Sequence, residues 1–197
     1  MILPINKSRH KIIRRVYLTD GIKISKLLRE TSVSQRIGYN HVQELIKDGI
    51  LKEESIGQLR IIKPNLKSET GRLMFGLLEK QMELNLIAEK PEIKEPLSIL
   101  KKEASAYGID SIVLFGQFVR NKGAEKIDIL VISEFNDKKI LPFLQKSFSS
   151  IENAVSARIM NEKSFLKFKA NKKELYEALF SNHICVYNTL KFIELIA

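Results

Sequence analysis

Between residues 8 and 63 the apolar positions change their spacing, and each change marks a new element. In "SRHKIIRRVYLT", residues 8 to 19, Ile12, Ile13 and Val16 recur at helical spacing, and "DG" at 20 to 21 ends the helix. "ISKLLRE", residues 24 to 30, sets Leu27 and Leu28 against Lys26 and Arg29, a second helix that "TSVS" breaks. Ser34 is placed as the N-cap of a third helix, "SQRIGYNHVQELIKD", residues 34 to 48. There Gly38, Val42, Leu45 and Ile46 share one face, while Gln35, Arg36, Tyr39, Asn40 and Gln43 point elsewhere, and Gly49 suits the helix stop. The period then drops to two. "ILKEES" and "QLRIIKP" alternate on either side of "IG", which predicts a β-hairpin ended by Pro64.

Residues 67 to 90 carry Leu73, Leu77, Met82, Leu84 and Leu86 and predict one long helix, with Pro91 and Pro96 punctuating a boundary. Such apolar positions serve a core or a dimer interface more often than a ligand site. Beyond the boundary the pattern predicts a helix over about 94–107, strands at 111–115 and 126–132, and a helix at 137–148. A strand at 153–160, helices across 162–181, the apolar run "HICVYN" and a last helix "TLKFIELI" follow. Strands alternating with helices argue a small α/β domain. The expected fold class is therefore α/β, α+β over the whole chain. Residues 1–66 form one domain, 67–92 a connecting helix, and 93–197 an α/β domain with a small mixed sheet.

Charge sharpens this division. The net charge is +10, and residues 1 to 66 hold 13 Lys or Arg against 6 Asp or Glu, a net of +7; the remainder holds 20 against 17, a net of +3. A segment this basic favours a polyanion. Apolar runs such as "SIVLFG" and "IDILVI" are far shorter than the roughly 20 residues that span a bilayer, and "MILPINKSRHK" carries no signal-peptide pattern. A cytoplasmic protein without membrane attachment is expected. The single cysteine, Cys185, excludes an internal disulfide and reads as a buried thiol. His10, His41 and His183 show no metal-binding spacing, and no P-loop or dinucleotide loop occurs, so no metal or cofactor site is expected.

Three short helices followed by a hairpin, over residues 8 to 63, resemble the winged helix-turn-helix domain of prokaryotic transcription regulators, with "VSQRIGYNHVQELIKDGIL" resembling the recognition helix and the entry to the wing. The resemblance implies double-stranded DNA as partner and a homodimer reading two half-sites. Base edges would fall to Ser34, Gln35, Arg36, Tyr39, Asn40 and Gln43. Arg36 suits guanine, Gln35 or Asn40 suits adenine, and Tyr39 suits a thymine methyl or a phosphate. Lys52, Arg60 and Lys63 on the hairpin, with Arg14 or Arg15 on the first helix, would meet phosphates. Glu53 and Glu54 argue against deep insertion of the wing.

In the second domain, "VLFGQFVRNKGAEKIDILVIS", residues 113 to 133, is similar to the signature of polymerase-β-like minimal nucleotidyltransferases: a Gly-Ser turn, an Arg-Gly pair and a strand with two aspartates. In that family the turn holds nucleotide phosphates and three acids bind two divalent metals. Two-metal chemistry needs oxygen ligands converging on sites roughly 3.5 to 4 Å apart. Here Gly116 and Arg120 match, but Gln117 stands for serine and Asn121 for glycine. Asp128 matches one aspartate only, with Lys126 or Leu130 in the other place. The strand "NAVSARIM" offers Ser156 and Arg158 instead of a third acid, while Glu125 has the opposite strand phase to Asp128 and Glu134 falls at the end of its strand. Asp128 is expected to pair with Arg120 or Lys126 instead of a metal.

These readings together predict a DNA-binding transcription regulator whose nucleotidyltransferase-like domain has a degenerate site and serves assembly or ligand sensing. Two alternatives stand beside it. One is an active nucleotidyltransferase, using Mg and a nucleotide and targeted to DNA by its first domain. The other is an antitoxin-like protein whose C-terminal domain binds a protein partner.

Overall fold

In the computed structural model, residues 5–197 are described, except 20, 121–123, 125, 135–136, 153 and 172. In chain order the elements are α1 (Lys7–Tyr17), β1 (Ile22–Lys23), α2 (Ile24–Thr31), α3 (Gln35–Lys47), β2 (Leu51–Ile56), β3 (Leu59–Pro64) and α4 (Glu69–Glu89). They continue with α5 (Lys94–Glu103), β4 (Ile109–Phe115), α6 (Gln117–Arg120), β5 (Lys126–Ser133), α7 (Asp137–Ser147) and β6 (Ala154–Met160). Last come α8 (Glu162–Asn171), α9 (Lys173–Phe180), β7 (His183–Tyr187) and α10 (Thr189–Ile196). The fold is mixed α+β, with one three-stranded and one four-stranded sheet. It divides into two units, Met1–Leu78 with Ile196–Ala197, and Glu79–Leu195, the division falling inside α4. Among the described residues no helix is long and apolar enough to cross a membrane.

In the first unit α1 begins where Asn6 accepts the amide of Arg9 at 2.9 Å, one of the orphan N–H groups of a helix start. Ile12, Ile13, Val16, Leu27, Val42 and Ile62 are fully buried, so the three helices share one core with the sheet. Gly38 lets α2 and α3 approach closely: a methyl there would lie 2.4 Å from Leu28 Cδ2. Ser34 does precede α3, but its side chain makes no capping bond, contrary to the expectation. The hairpin gains a strand that the hydropathy pattern does not reveal. β1 pairs antiparallel with β3 through Ile22 and Ile62, giving the order β1-β3-β2. Two residues are too few to display a period. Asp20 of the "DG" stop lies outside the described residues.

The second unit is built on the sheet order β6-β5-β4-β7, with β5 and β6 parallel and the other pairs antiparallel. Ile112, Val113 and Leu114 on β4 and Ile127, Ile129, Leu130, Val131 and Ile132 on β5 are fully buried. Both faces of these two central strands are covered, which is why they read as continuous apolar runs. "HICVY" is strand β7. The helix expected over 94–107 is α5 followed by a 3₁₀ turn, Ala104–Tyr107, that ends at Gly108 with φ 65°. On α4, Met82 and Leu86 are buried, whereas Leu73, Leu77 and Leu84 are exposed.

A buried polar contact joins α4 to β7 within this unit. The Glu79 carboxylate, with no exposed surface, accepts the Cys185 amide at 2.8 Å and lies 2.9 Å from His183 Nε2. His183 Nδ1 is 2.6 Å from the Phe180 carbonyl, which can only accept, so that nitrogen carries a hydrogen. One further proton is then shared between Nε2 and the carboxylate. The Phe180 and Phe192 rings flank the imidazole, at 4.8 and 5.6 Å between centroids.

Candidate nucleic-acid interface and the Gly116 turn

α3 buries Gly38, Val42 and Leu45 and thereby turns Gln35, Arg36, Tyr39 and Asn40 outward, at the spacing a 3.6-residue period requires. These four residues, with Ile24, Ser25, Leu28 and Arg29 of α2 and Val33, line a groove of about 880 Å³. Its lining combines apolar Ile24, Leu28 and Val33 with two guanidinium groups, Arg29 and Arg36. Neither makes an ion pair among the described residues. Ser34 is exposed at the start of the same helix. Gln43, two turns further on, does not join them: it is half-buried and its amide nitrogen is shielded from solvent without a hydrogen-bond partner. A base-reading role for Gln43 has no geometric support.

The hairpin cations are occupied. Lys52 and Lys63 stand opposite each other across β2 and β3, and Glu54 takes both, at 2.8 and 2.7 Å. These hydrogen bonds, from Lys52 first and Lys63 second, hold the Glu54 carboxyl down to about 2. Arg60 donates Nε and Nη2 to the two oxygens of Glu53 at 2.5 and 2.6 Å, and Nη1 to the Tyr39 hydroxyl at 2.7 Å. Its guanidinium carbon also lies 5.4 Å from the Tyr39 ring centroid. Tyr39 is therefore tied to the hairpin through its hydroxyl. Arg15 is held by Glu30 at 2.6 Å, while Arg14 is exposed. Beside Arg14, His10 has its pKa lowered, by burial first and by that guanidinium second.

The candidate chemistry of the second unit sits where β4 turns into α6. Gly116 adopts φ 75°, the left-handed region that favours glycine. Across the sheet Phe115 pairs with Asp128, so the carboxylate comes up beneath the turn: a Cβ on Gly116 would lie 2.6 Å from Asp128 Oδ2. Gln117 and Arg120 are exposed on α6, which replaces part of the expected basic loop by a helical turn. Two strand positions from Asp128, Lys126 is exposed and Leu130 fully buried, and neither can ligate a metal. Ser156 is the parallel neighbour of Asp128 on β6 and Arg158 that of Leu130. Glu134 lies beyond β5 and accepts the Glu162 amide at 3.3 Å. Asn121 and Glu125 lie outside the described residues. Among the described residues no ion pair joins Asp128 to Arg120 or Lys126, so the expected pairing is not formed. Nor, among them, do three or more His, Cys, Asp or Glu converge as a metal site.

Sequence reasoning missed Ser25 and Arg29 as neighbours of the third helix, although Arg29 stood out as a cation on the polar side of its own helix. It also missed the Glu79–His183 contact, for which the signal was a histidine inside the apolar run "HICVY". No protein-family model and no curated protein matches the chain. A similar solved structure is that of TrmBL2, an archaeal chromatin protein showing a novel mode of DNA binding. It is 18% identical over 87% of this chain and 72% of that chain, with a TM-score of 0.31.

Proposed function

We propose that the chain is a DNA-binding transcription regulator that reads double-stranded DNA through α3. The observation that carries this reading is the convergence of Gln35, Arg36, Tyr39 and Asn40 with Arg29 around one open groove, on a helix whose opposite face is buried. Arginine and asparagine are the side chains whose paired donors and acceptors match guanine and adenine edges in a major groove. The element order α1-β1-α2-α3-β2-β3, with a three-stranded sheet closing on the hairpin, accords with a winged helix-turn-helix domain and supports the same reading. A homodimer accords with it, Leu73 and Leu77 being exposed apolar positions on α4 suited to a second copy.

The second unit we read as nucleotidyltransferase-like without the two-metal chemistry, serving assembly or ligand sensing. Its support is the strand, Gly116 turn, helix and strand order around a single carboxylate, Asp128, flanked by Lys126 and Leu130. The reading is tested by binding of the full chain to genomic DNA fragments at two salt concentrations, beside an Arg36→Ala, Tyr39→Ala, Asn40→Ala variant. Selective binding that the variant loses supports it; absence of binding above background at low salt overturns it. Magnesium-dependent incorporation of labelled ATP that Asp128→Ala abolishes would overturn the inactive-site reading.

A further inference from the structure

Every cation of the hairpin is paired, Lys52, Arg60 and Lys63, as are Arg9, Arg15 and Lys26 on the helices, whereas among the described residues the two arginines at the α2–α3 groove are not. On β2 and β3, Lys52 and Lys63 are directly opposite one another, a placement in which two ammonium groups repel. Glu54 lies on the same face and binds both; Glu53, on the other face, binds the fork of Arg60. The hairpin tip, residues 55 to 59, carries no charge and exposes Ile56 and Leu59, at 62% and 44%. In contrast, Arg29 and Arg36 at the α2–α3 groove are exposed and make no ion pair among the described residues.

On the reading that this unit binds DNA, we propose that the hairpin, whose cations Lys52, Arg60 and Lys63 stand against Glu53 and Glu54, offers the duplex at most one net positive charge. Glu53 and Glu54 hold Arg60, Lys52 and Lys63 internally, and Arg29, beside the base-reading row of α3, makes the phosphate grip. The physical reason lies in counterion release. A cation that neutralises a phosphate contributes about 0.9 to the slope of log affinity against log salt. Lys52 and Lys63 share the single charge of Glu54, so one of their two charges is compensated before DNA arrives. To reach a phosphate a lysine must leave Glu54, or bring the phosphate against that carboxylate, and either course offsets the gain. The hairpin's remaining contribution is positional: Arg60, fixed by both oxygens of Glu53, orients the Tyr39 hydroxyl at 2.7 Å.

The test is the salt slope of the full chain on duplex DNA between 50 and 200 mM salt, with the folding of each variant checked by circular dichroism. A Lys52→Ala, Lys63→Ala double variant is expected to lower the slope by no more than about 0.9. Arg29→Ala is expected to lower it by about 0.9 and Arg29→Lys to restore it. Glu54→Gln removes the one compensating charge and is expected to steepen it by up to about 0.9, about a 3.5-fold larger loss of affinity over that fourfold salt range. The proposal is overturned if the double lysine variant lowers the slope by about 1.8 while Glu54→Gln changes nothing. That result leaves the DNA-binding reading intact. Absence of wild-type binding at the lower salt overturns both.

Discussion

Replacing His183 by alanine isolates the charge that α4 and β7 share. The Glu79 carboxylate has no exposed surface, and its contacts include the His183 imidazole at 2.9 Å and the Cys185 amide at 2.8 Å. Removing one partner of such a buried pair costs about 3–5 kcal/mol. Glu79→Gln behaves differently. The amide oxygen can still accept the Cys185 N–H, and the amide N–H can donate to Nε2 while Nδ1–H stays on the Phe180 carbonyl, so the loss should be about 1 kcal/mol. Cys185 itself supplies the assay. Its thiol is buried and pushed up to about 12, chiefly by burial and next by the Glu79 carboxylate, so reaction with a thiol reagent requires the second unit to open. At a tenfold change per 1.4 kcal/mol, His183→Ala should label roughly 100- to 3,000-fold faster than the parent under native conditions. Glu79→Gln should label about 5-fold faster. Labelling of His183→Ala within tenfold of the parent would refute the argument that this contact holds α4 against β7.

Other outcomes follow from the same geometry. Gly71→Ala should destabilise the first unit by about 1–3 kcal/mol in urea titration despite the better helix propensity of alanine, because its methyl would lie 2.0 Å from the Asn65 carbonyl oxygen, a backbone atom that cannot swing away. An unchanged midpoint would contradict this. Ser68→Ala removes the acceptor of the Gly71 amide, at 2.9 Å, and the donor to the Gly49 carbonyl, at 2.5 Å; a loss of about 0.5–2 kcal/mol is expected in the same titration. Gly116→Ala should cost about 1–3 kcal/mol through its positive φ, and Asp128→Ala in that background should restore only the part due to the carboxylate contact. The Glu54 carboxyl, lowered in the folded chain, stabilises above the ordinary carboxylate range and loses that contribution as pH falls toward about 2. A carboxyl-carbon NMR titration with a midpoint above 4 would count against the Lys52 and Lys63 bonds.

Periodicity by itself determined most elements, because their burial follows local rules. Ile12, Ile13 and Val16 had to face inward once α1 was helical, and the apolar runs of β4 and β5 announced two central strands before any partner was known. The exposed row on α3 was legible for the same reason, since burying Gly38, Val42 and Leu45 leaves Gln35, Arg36, Tyr39 and Asn40 outside. The single aspartate of "IDILV" was legible as a lone carboxylate on an apolar strand without any structure. Tertiary structure alone decided what those residues touch. Glu79 meets His183 across 103 intervening positions of chain, and nothing near either residue names the other. Strand register, set by the turn and the buried face together, brought Lys52 opposite Lys63 and put Glu54 within reach of both. Whether a cation is free or compensated depends on distances of a few ångströms between segments, and a one-dimensional pattern carries no such distances.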